Sequence, residues 1–313
     1  MNPIANRAHE LTLQRFGRVM TLFIPLYLSN ECYNICTYCG FSRTYNYNRK
    51  TLTPDEILKE GLLLKNKGFQ HLLLLTGESP KKVGVEYINT AIELLSPHFS
   101  SIGIEVQPLK QSEYSHLITS GADSLTLYQE TYHQPSYETY HTAGLKKFFK
   151  KRLDSPEEGC KAGFYRVNLG ALLGLYDWRY EALSLATHLD YLHRHFWQVK
   201  YGISFPRIND MIGNFNVNYP VSDLSFVQLI IAFRLVFPDL TISLSTRESA
   251  KLRDHLIPLG ITHMSAESST APGGYESSPS ETKQFDIEDT RSLEDICSTL
   301  SSKGYEPVMK DWD

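Results

Sequence analysis

Residues 21–43 read TLFIPLYLSNECYNICTYCGFSR, and the fold follows from what this stretch does and how often its pattern recurs. The first nine residues are an apolar run rich in aromatic and β-branched side chains, which suits a strand buried on both faces. The run delivers the chain to Cys32, Cys36 and Cys39, spaced Cys-x3-Cys-x2-Cys. Further on, Thr53 opens a helix. Pro54 suits the first helical position, Thr53 and Glu56 fit a capping box, and Gly68 follows the last turn. Strand, cysteine loop and helix make one βα unit.

The unit repeats along the chain. Apolar runs at 71–78, 101–107, 124–130, 165–174, 199–208, 241–248 and 262–268 read as strands. Helical stretches near 85–99, 112–120, 178–196, 224–236 and 250–259 lie between them, with a helical or irregular segment after 130 and a last helix from 292. Eight strand candidates alternating with helices predict an α/β fold, a (β/α)8 TIM-type or closely related partial barrel. The barrel is expected to form a single domain over 1–313, with 1–20 as an N-terminal extension and 269–313 as a C-terminal loop and helix. In such a barrel chemistry sits at the C-terminal ends of the strands. Here those ends turn polar: Thr76-Gly77-Glu78, Glu105 and Gln107, Gln129-Glu130, Ser204 and Arg207, Ser245 and Arg247. Alternation predicts that Ser243, Ser245 and Arg247 share one face of their strand.

Composition excludes several classes. The chain has 313 residues, 42% hydrophobic and 21% charged, with a formal net charge of −4, so it offers no field for a polyanion and no nucleic acid is expected. Its basic residues are scattered apart from short runs such as Lys146 to Arg152. No apolar run approaches spanning length, so no membrane is expected, and the first 17 residues are too polar for a signal peptide. The expected setting is the reducing cytoplasm.

Three of the five cysteines fall within eight positions. Crowded thiols oxidise or scavenge metal unless something occupies them. With no histidine nearby, three thiolates leave one coordination position open, which suits a cubane iron–sulfur cluster whose fourth iron binds a small molecule. A structural zinc site closes all four positions, and three clustered thiols cannot all pair as disulfides. Cys160 and Cys297 lie far from the motif and read as packing or surface residues.

Tyr38, just before the last cysteine, completes a pattern that resembles the radical S-adenosylmethionine (SAM) enzymes. LYLSNECYNICTYCGFS (26–42), HLLLLTGES (71–79), EVQPL (105–109), LYQETYH (127–133), GALLGL (170–175), SFPRI (204–208), ISLSTRES (242–249), APGGY (271–275) and the terminal KDWD (310–313) together resemble the 2-iminoacetate synthases, the tyrosine lyases of bacterial thiazole and thiamine biosynthesis. The resemblance runs from about residue 10 to the end. It implies a [4Fe-4S] cluster on Cys32, Cys36 and Cys39, and SAM as the second cofactor. Tyr38 is placed near the adenine, and Thr76-Gly77-Glu78 stands for the superfamily's Gly-Gly-Glu segment, which bonds the SAM amino group. Thr76 replaces the first glycine, so backbone carbonyls are expected to make most of that contact. Glu105 is a candidate for the SAM ribose or methionine end.

On the substrate side, Arg247 with Ser245 resembles the family's Ser-Thr-Arg carboxylate clamp, and a guanidinium can hold a carboxylate in a bidentate way that lysine cannot. Tyr128, Gln129 and Gln107 are unranked rim candidates for the phenol slot. The implied reaction takes hydrogen from the amine of L-tyrosine and breaks Cα–Cβ, giving 4-methylphenol and 2-iminoacetate with 5′-deoxyadenosine and methionine. The implied partners are thiazole synthase and a flavodoxin- or ferredoxin-type electron donor. Relative to the family the chain looks shortened at its N-terminus. The Gly-, Pro- and Ser-rich loop 271–285 reads as either a lid or a connector.

Three other readings stay open. The tyrosine lyase that matures [FeFe] hydrogenase needs a second cysteine motif, and after Cys39 only Cys160 and Cys297 remain. A radical SAM enzyme could act on another substrate, as a tryptophan lyase or a biotin-synthase-like sulfur inserter does. A non-catalytic protein could use the metal site structurally to bind a partner.

Overall fold

A computed structural model describes residues 2–208, 215–276 and 283–309. The terminal KDWD and residues 277–282 of the Gly/Pro/Ser-rich loop lie outside the described residues. In chain order, the first half holds α1 (Pro3–Phe16), β1 (Val19–Ser29), β2 (Ile35–Cys36), α2 (Pro54–Asn66), β3 (His71–Thr76), α3 (Val85–Leu95), β4 (Ser101–Glu105), α4 (Gln111–Thr119) and β5 (Ser124–Glu130). Then come α5 (Gln134–Tyr140), β6 (His141–Ala143), α6 (Phe149–Ala162), β7 (Arg166–Ala171), α7 (Trp178–His195), β8 (Lys200–Ser204) and α8 (Asp223–Val236). The chain finishes with β9 (Thr241–Leu244), α9 (Ala250–Leu256), β10 (His263–Ser265), α10 (Leu293–Ser302) and β11 (Glu306–Val308).

Strands β1, β3, β4, β5, β7, β8, β9 and β10 pair in that order, all parallel. β10 returns to β1 through Thr21–His263, Leu22–Met264 and Phe23–Ser265, so the barrel is closed rather than partial. Alternation along each strand sorts the side chains. Leu22, Ile24, Leu26 and Leu28 of β1 are fully buried in the layer shared with Ile57, Leu64, Ile88 and Ile92 of the helices. Pro25 and Tyr27 between them face the lumen, beside Leu73, Leu75, Glu105 and Tyr128. Each fully buried aliphatic side chain of the outer layer contributes roughly 1.5–3 kcal/mol, which leaves the lumen free to carry polar groups. The capping box at Thr53 forms as its spacing predicts.

The structure departs from the sequence reading in four places. The N-terminal extension ends earlier than residue 20, because β1 starts at Val19. Before it, α1 is capped by the Asn2 side chain and lays Ala5 and Ala8 on Ile231 of α8. The segment after 130 contains β6, which pairs antiparallel with β2; strands of two and three residues carry no periodicity to read. β11, which follows α10, adds to β1 at Val19–Thr21. Finally, β9 stops at Leu244, so Ser245, Thr246 and Arg247 belong to the turn that follows, and Ser243, Ser245 and Arg247 do not share a strand face. Among the described residues no helix is long and apolar enough to cross a membrane.

Candidate active site

The cysteine loop leaves the C-terminal end of β1 and is pinned by one side chain. Arg49 Nη1 donates to the carbonyls of Asn30 (2.6 Å) and Phe41 (2.8 Å), and its Nη2 to that of Ser42 (2.9 Å). Its guanidinium lies 4.5 Å over the Tyr47 ring, whose hydroxyl donates to the Gly40 carbonyl (2.9 Å). On the other side β2 sits against β6, with Cys36 opposite His141. The His141 Nδ1–H donates to the Tyr137 carbonyl (2.7 Å), so its Nε2 is the acceptor for the Tyr38 hydroxyl (2.7 Å). Burial, reinforced by the Lys146 charge, pushes His141 down to about 2, so the ring is neutral. The phenol of Tyr38 is thereby locked beside the cysteines.

Gly77 shows why the segment after β3 needs a glycine. A Cβ there would come within 2.3 Å of the Glu31 carbonyl oxygen and 3.1 Å of Cys32 Cβ, so the cysteine loop lies directly on its backbone. Gly77 N–H donates to the Ser29 carbonyl (2.9 Å), and Tyr33 N–H to that of Glu78 (3.0 Å). Gly77→Ala is expected to cost about 1–3 kcal/mol through this overpacking and to lower reconstituted iron per chain. Urea unfolding and iron analysis check it; a wild-type value for both would remove the close approach from the account.

Both carboxylate oxygens of Glu78 have partners within the chain. Asn34 Nδ2 donates to one (2.8 Å) and Arg152 Nη1 pairs with the other (2.7 Å). Arg152 also donates through Nε to the Tyr128 carbonyl (2.6 Å) and reaches Glu130 (3.5 Å), which Lys146 Nζ approaches to 2.6 Å. Burial alone would raise both carboxyls, but Arg152 and Lys146 outweigh it and hold Glu78 and Glu130 below the usual range. Glu130 has φ 71°, uncommon for a residue with a side chain. The turn that follows is fastened to the buried Glu181, through the Thr131 hydroxyl (2.5 Å) and the Tyr132 N–H (2.7 Å). Thus α6 and α7 together aim Glu130 at the barrel mouth.

A cavity of about 110 Å³ at that mouth is lined by Tyr38, Cys39, Glu105, Tyr128, Glu130, Lys146, Ser204, Ser245 and Arg247, among others. It is covered by Gln284 and Phe285. Tyr27 donates to Gln284 Oε1 (2.6 Å), Gly40 N–H donates to the Gln284 carbonyl (3.0 Å), and the Arg247 guanidinium lies 3.3 Å from the Phe285 ring centroid. Of the 271–285 loop, the part before the undescribed residues is a connector, because Tyr275 donates to the Pro25 carbonyl and Glu60 accepts from the Tyr275 and Glu276 N–H groups. Gln284 and Phe285 line the mouth. Burial, then the Glu130 charge, pushes Glu105 up to about 7, and its carboxylate makes no hydrogen bond or ion pair among the described residues.

The structure therefore divides the expected residues. Tyr38, Cys39, Glu105, Ser245 and Arg247 meet in one cavity, with Tyr128 and Ser204. Thr76, Gly77 and Glu78 instead lie behind the cysteine loop. Gln107 donates to the Val83 carbonyl and lines an outer cavity, and Gln129 is buried with no partner for its side-chain amide among the described residues. Arg207 is spent on Glu248 and Asp223. His141, Tyr27, Gln284 and Phe285 had no sequence signal as site residues. Lys146 and Arg152 had only the basic run to mark them.

The residues fit the implied cofactors. All three motif thiols are free. Among the described residues no group of three or more His, Cys, Asp and Glu side chains is arranged as a site for a metal ion. Burial pushes the Cys32 thiol up to about 11 and those of Cys36 and Cys39 upward, with Lys146 opposing at the latter two, so metal binding must displace protons. Among the described residues the buried Thr76 Oγ1 has no hydrogen-bond partner, leaving an open polar contact beside the loop.

Comparison with known proteins agrees. Residues 26–185 match the Radical SAM superfamily, and residues 204–306 match the Biotin and Thiamin Synthesis associated domain. Over its whole length the chain is 45% identical to 2-iminoacetate synthase of Salmonella typhimurium and 44% identical to that of Escherichia coli, covering 83% of each. The chain belongs to the 2-iminoacetate synthase family. The FeFe-hydrogenase maturase HydG from Carboxydothermus hydrogenoformans superposes with a TM-score of 0.93 at 32% identity, over 99% of this chain and 72% of that one. As a 2-iminoacetate synthase relative the chain is a radical SAM lyase whose cofactors are a [4Fe-4S] cluster and SAM. Cys160, packed against Tyr201, and Cys297 on α10 stand on separate helices and form no second cysteine motif.

Proposed function

We propose that this chain cleaves the Cα–Cβ bond of L-tyrosine to 2-iminoacetate and 4-methylphenol and supplies the former to thiazole formation. The observation that carries the reading is that Cys39 and Arg247 line one cavity, so a carboxylate clamp and a cluster ligand face the same space. When bound, the cluster and SAM supply a 5′-deoxyadenosyl radical that takes hydrogen from the substrate amine. Cys32, Cys36 and Cys39 hold the cluster, and Tyr38, fixed by His141, walls the SAM side.

Arg247 holds the substrate carboxylate, with Ser245 beside it, and this fixed placement is where the protein gains most of its advantage. Glu105, pushed up to about 7 by burial and with no hydrogen bond or ion pair to its carboxylate among the described residues, suits the role of taking a proton from the substrate ammonium, since a base works best near the operating pH. This reading moves Glu105 from the SAM side to the substrate side. Gln284 and Phe285 exclude water from above. The lability of 2-iminoacetate in water favours direct handover to thiazole synthase, and a flavodoxin- or ferredoxin-type protein donates the electron.

An anaerobic assay after iron and sulfide reconstitution, with SAM, dithionite and L-tyrosine, is expected to give 4-methylphenol and 5′-deoxyadenosine together. 5′-Deoxyadenosine without 4-methylphenol would sink the substrate assignment while leaving the radical chemistry in place.

A further inference from the structure

The basic run Lys146–Arg152 divides by burial. Lys146 and Arg152 turn inward to Glu130 and Glu78. Lys147, Lys150 and Lys151 face solvent, together with two large apolar side chains, Leu145 at 43% exposure and Phe148 at 50%. Leu145 and Lys151 also line a cavity of about 730 Å³, which Lys81, Lys82 and Lys110 line as well. That cavity has six basic residues (81, 82, 110, 146, 151, 152) against two acidic ones, Glu86 and Glu113. Lys82 pairs with Glu31 and Lys150 with Asp154, whereas Lys81, Lys110, Lys147 and Lys151 form no ion pair among the described residues. On a chain of net charge −4 this local excess runs against the overall balance.

The place of this surface matters as much as its charge. Gly144, at φ 85°, leaves no room for a side chain, since a Cβ would lie 2.1 Å from Asn34 Oδ1. Lys146 N–H donates to that same Oδ1 (3.0 Å), and the neighbouring β6 pairs with Cys36. The turn that displays Leu145 and Phe148 is therefore in direct contact with the loop between Cys32 and Cys36. The cavity at the barrel mouth, by contrast, is lined by Gln284 and Phe285.

We propose that Leu145 and Phe148, with Lys81, Lys110, Lys147 and Lys151 around them, form the docking site of an acidic one-electron donor protein. The proposal rests on the radical SAM reading above. One electron passes from the donor's reduced flavin or iron centre to the cluster held by the three cysteines; the donor is oxidised by one electron, and no bond or proton is exchanged. The lysines steer an acidic partner at long range, and the two apolar side chains supply a small contact that releases quickly, as redox encounters require.

The test uses the full reconstituted chain, an acidic flavodoxin as probe, and the Lys147→Glu/Lys151→Glu and Phe148→Ser variants. Flavodoxin affinity, measured by biolayer interferometry, is expected to fall about tenfold or more in the double charge reversal, and wild-type affinity to weaken as salt rises. Flavodoxin-driven 4-methylphenol formation should fall in parallel, while dithionite-driven formation and iron content stay at wild type. Lys303→Glu, at the end of α10, should leave all of these unchanged. Unchanged affinity in the double variant, or an equal loss in Lys303→Glu, overturns the proposal. If wild type makes no product with dithionite, the functional reading fails, and the affinity series still reports on this surface.

Discussion

Cys36→Ala is expected to leave the chain folded and unable to retain iron after reconstitution, with 5′-deoxyadenosine and 4-methylphenol both below detection. Cys36 is buried at 4% exposure on β2. Removing one sulfur from that position costs the fold only about 1 kcal/mol, because the loop is carried by Arg49 and by the β2–β6 pairing rather than by the thiol. The cluster has no such redundancy. Cys32 and Cys39 remain, and Cys160 and Cys297 belong to α6 and α10 rather than to the cysteine loop. Iron analysis, the absorption of the reconstituted protein and thermal unfolding read the two effects separately. Wild-type absorption in the variant would mean that the ligand set is wrong.

Arg247→Lys should keep the cluster and lose the substrate. We expect kcat/KM for L-tyrosine to fall about 100- to 1,000-fold, or about 3–4 kcal/mol of transition-state stabilisation. Lysine keeps the positive charge but has neither the planar fork that grips a carboxylate in two places nor the flat face that lies on Phe285. Burial already works against the charge on Arg247, and a more strongly hydrated ammonium at the same point would suffer more. Product ratios add a second readout. A misplaced substrate should let 5′-deoxyadenosine accumulate ahead of 4-methylphenol. Proportional loss of both products with unchanged KM would point away from a carboxylate clamp.

Glu78 and Arg207 illustrate what the sequence reading of the site left out. Both stand at polar strand ends and both carry the right charge to meet a ligand. Glu78 meets Arg152, 74 residues further on, and Arg207 meets Glu248, 41 residues on. Nothing in either local stretch announces such a partner. Tyr27 and Gln284, 257 residues apart, are an extreme case. Conversely Glu105, the last residue of β4, and Ser245 and Arg247, in the turn after β9, do reach the cavity.

What the chain alone determined is what depends on neighbours a few residues away: apolar strand runs alternating with helical stretches, the capping box at Thr53, and three cysteines on one loop. These are short-range consequences of backbone geometry and coordination chemistry, and they survive without knowledge of the rest of the molecule. Only the tertiary structure decided that β10 closes on β1, that β6 braces the cysteines, that Glu78 is a strut, and that Gln284 and Phe285 cover Arg247. Each of these joins segments far apart in sequence, and the choice of partner is made when the whole barrel buries its apolar layer and every stranded charge must find whichever opposite charge that packing has brought near.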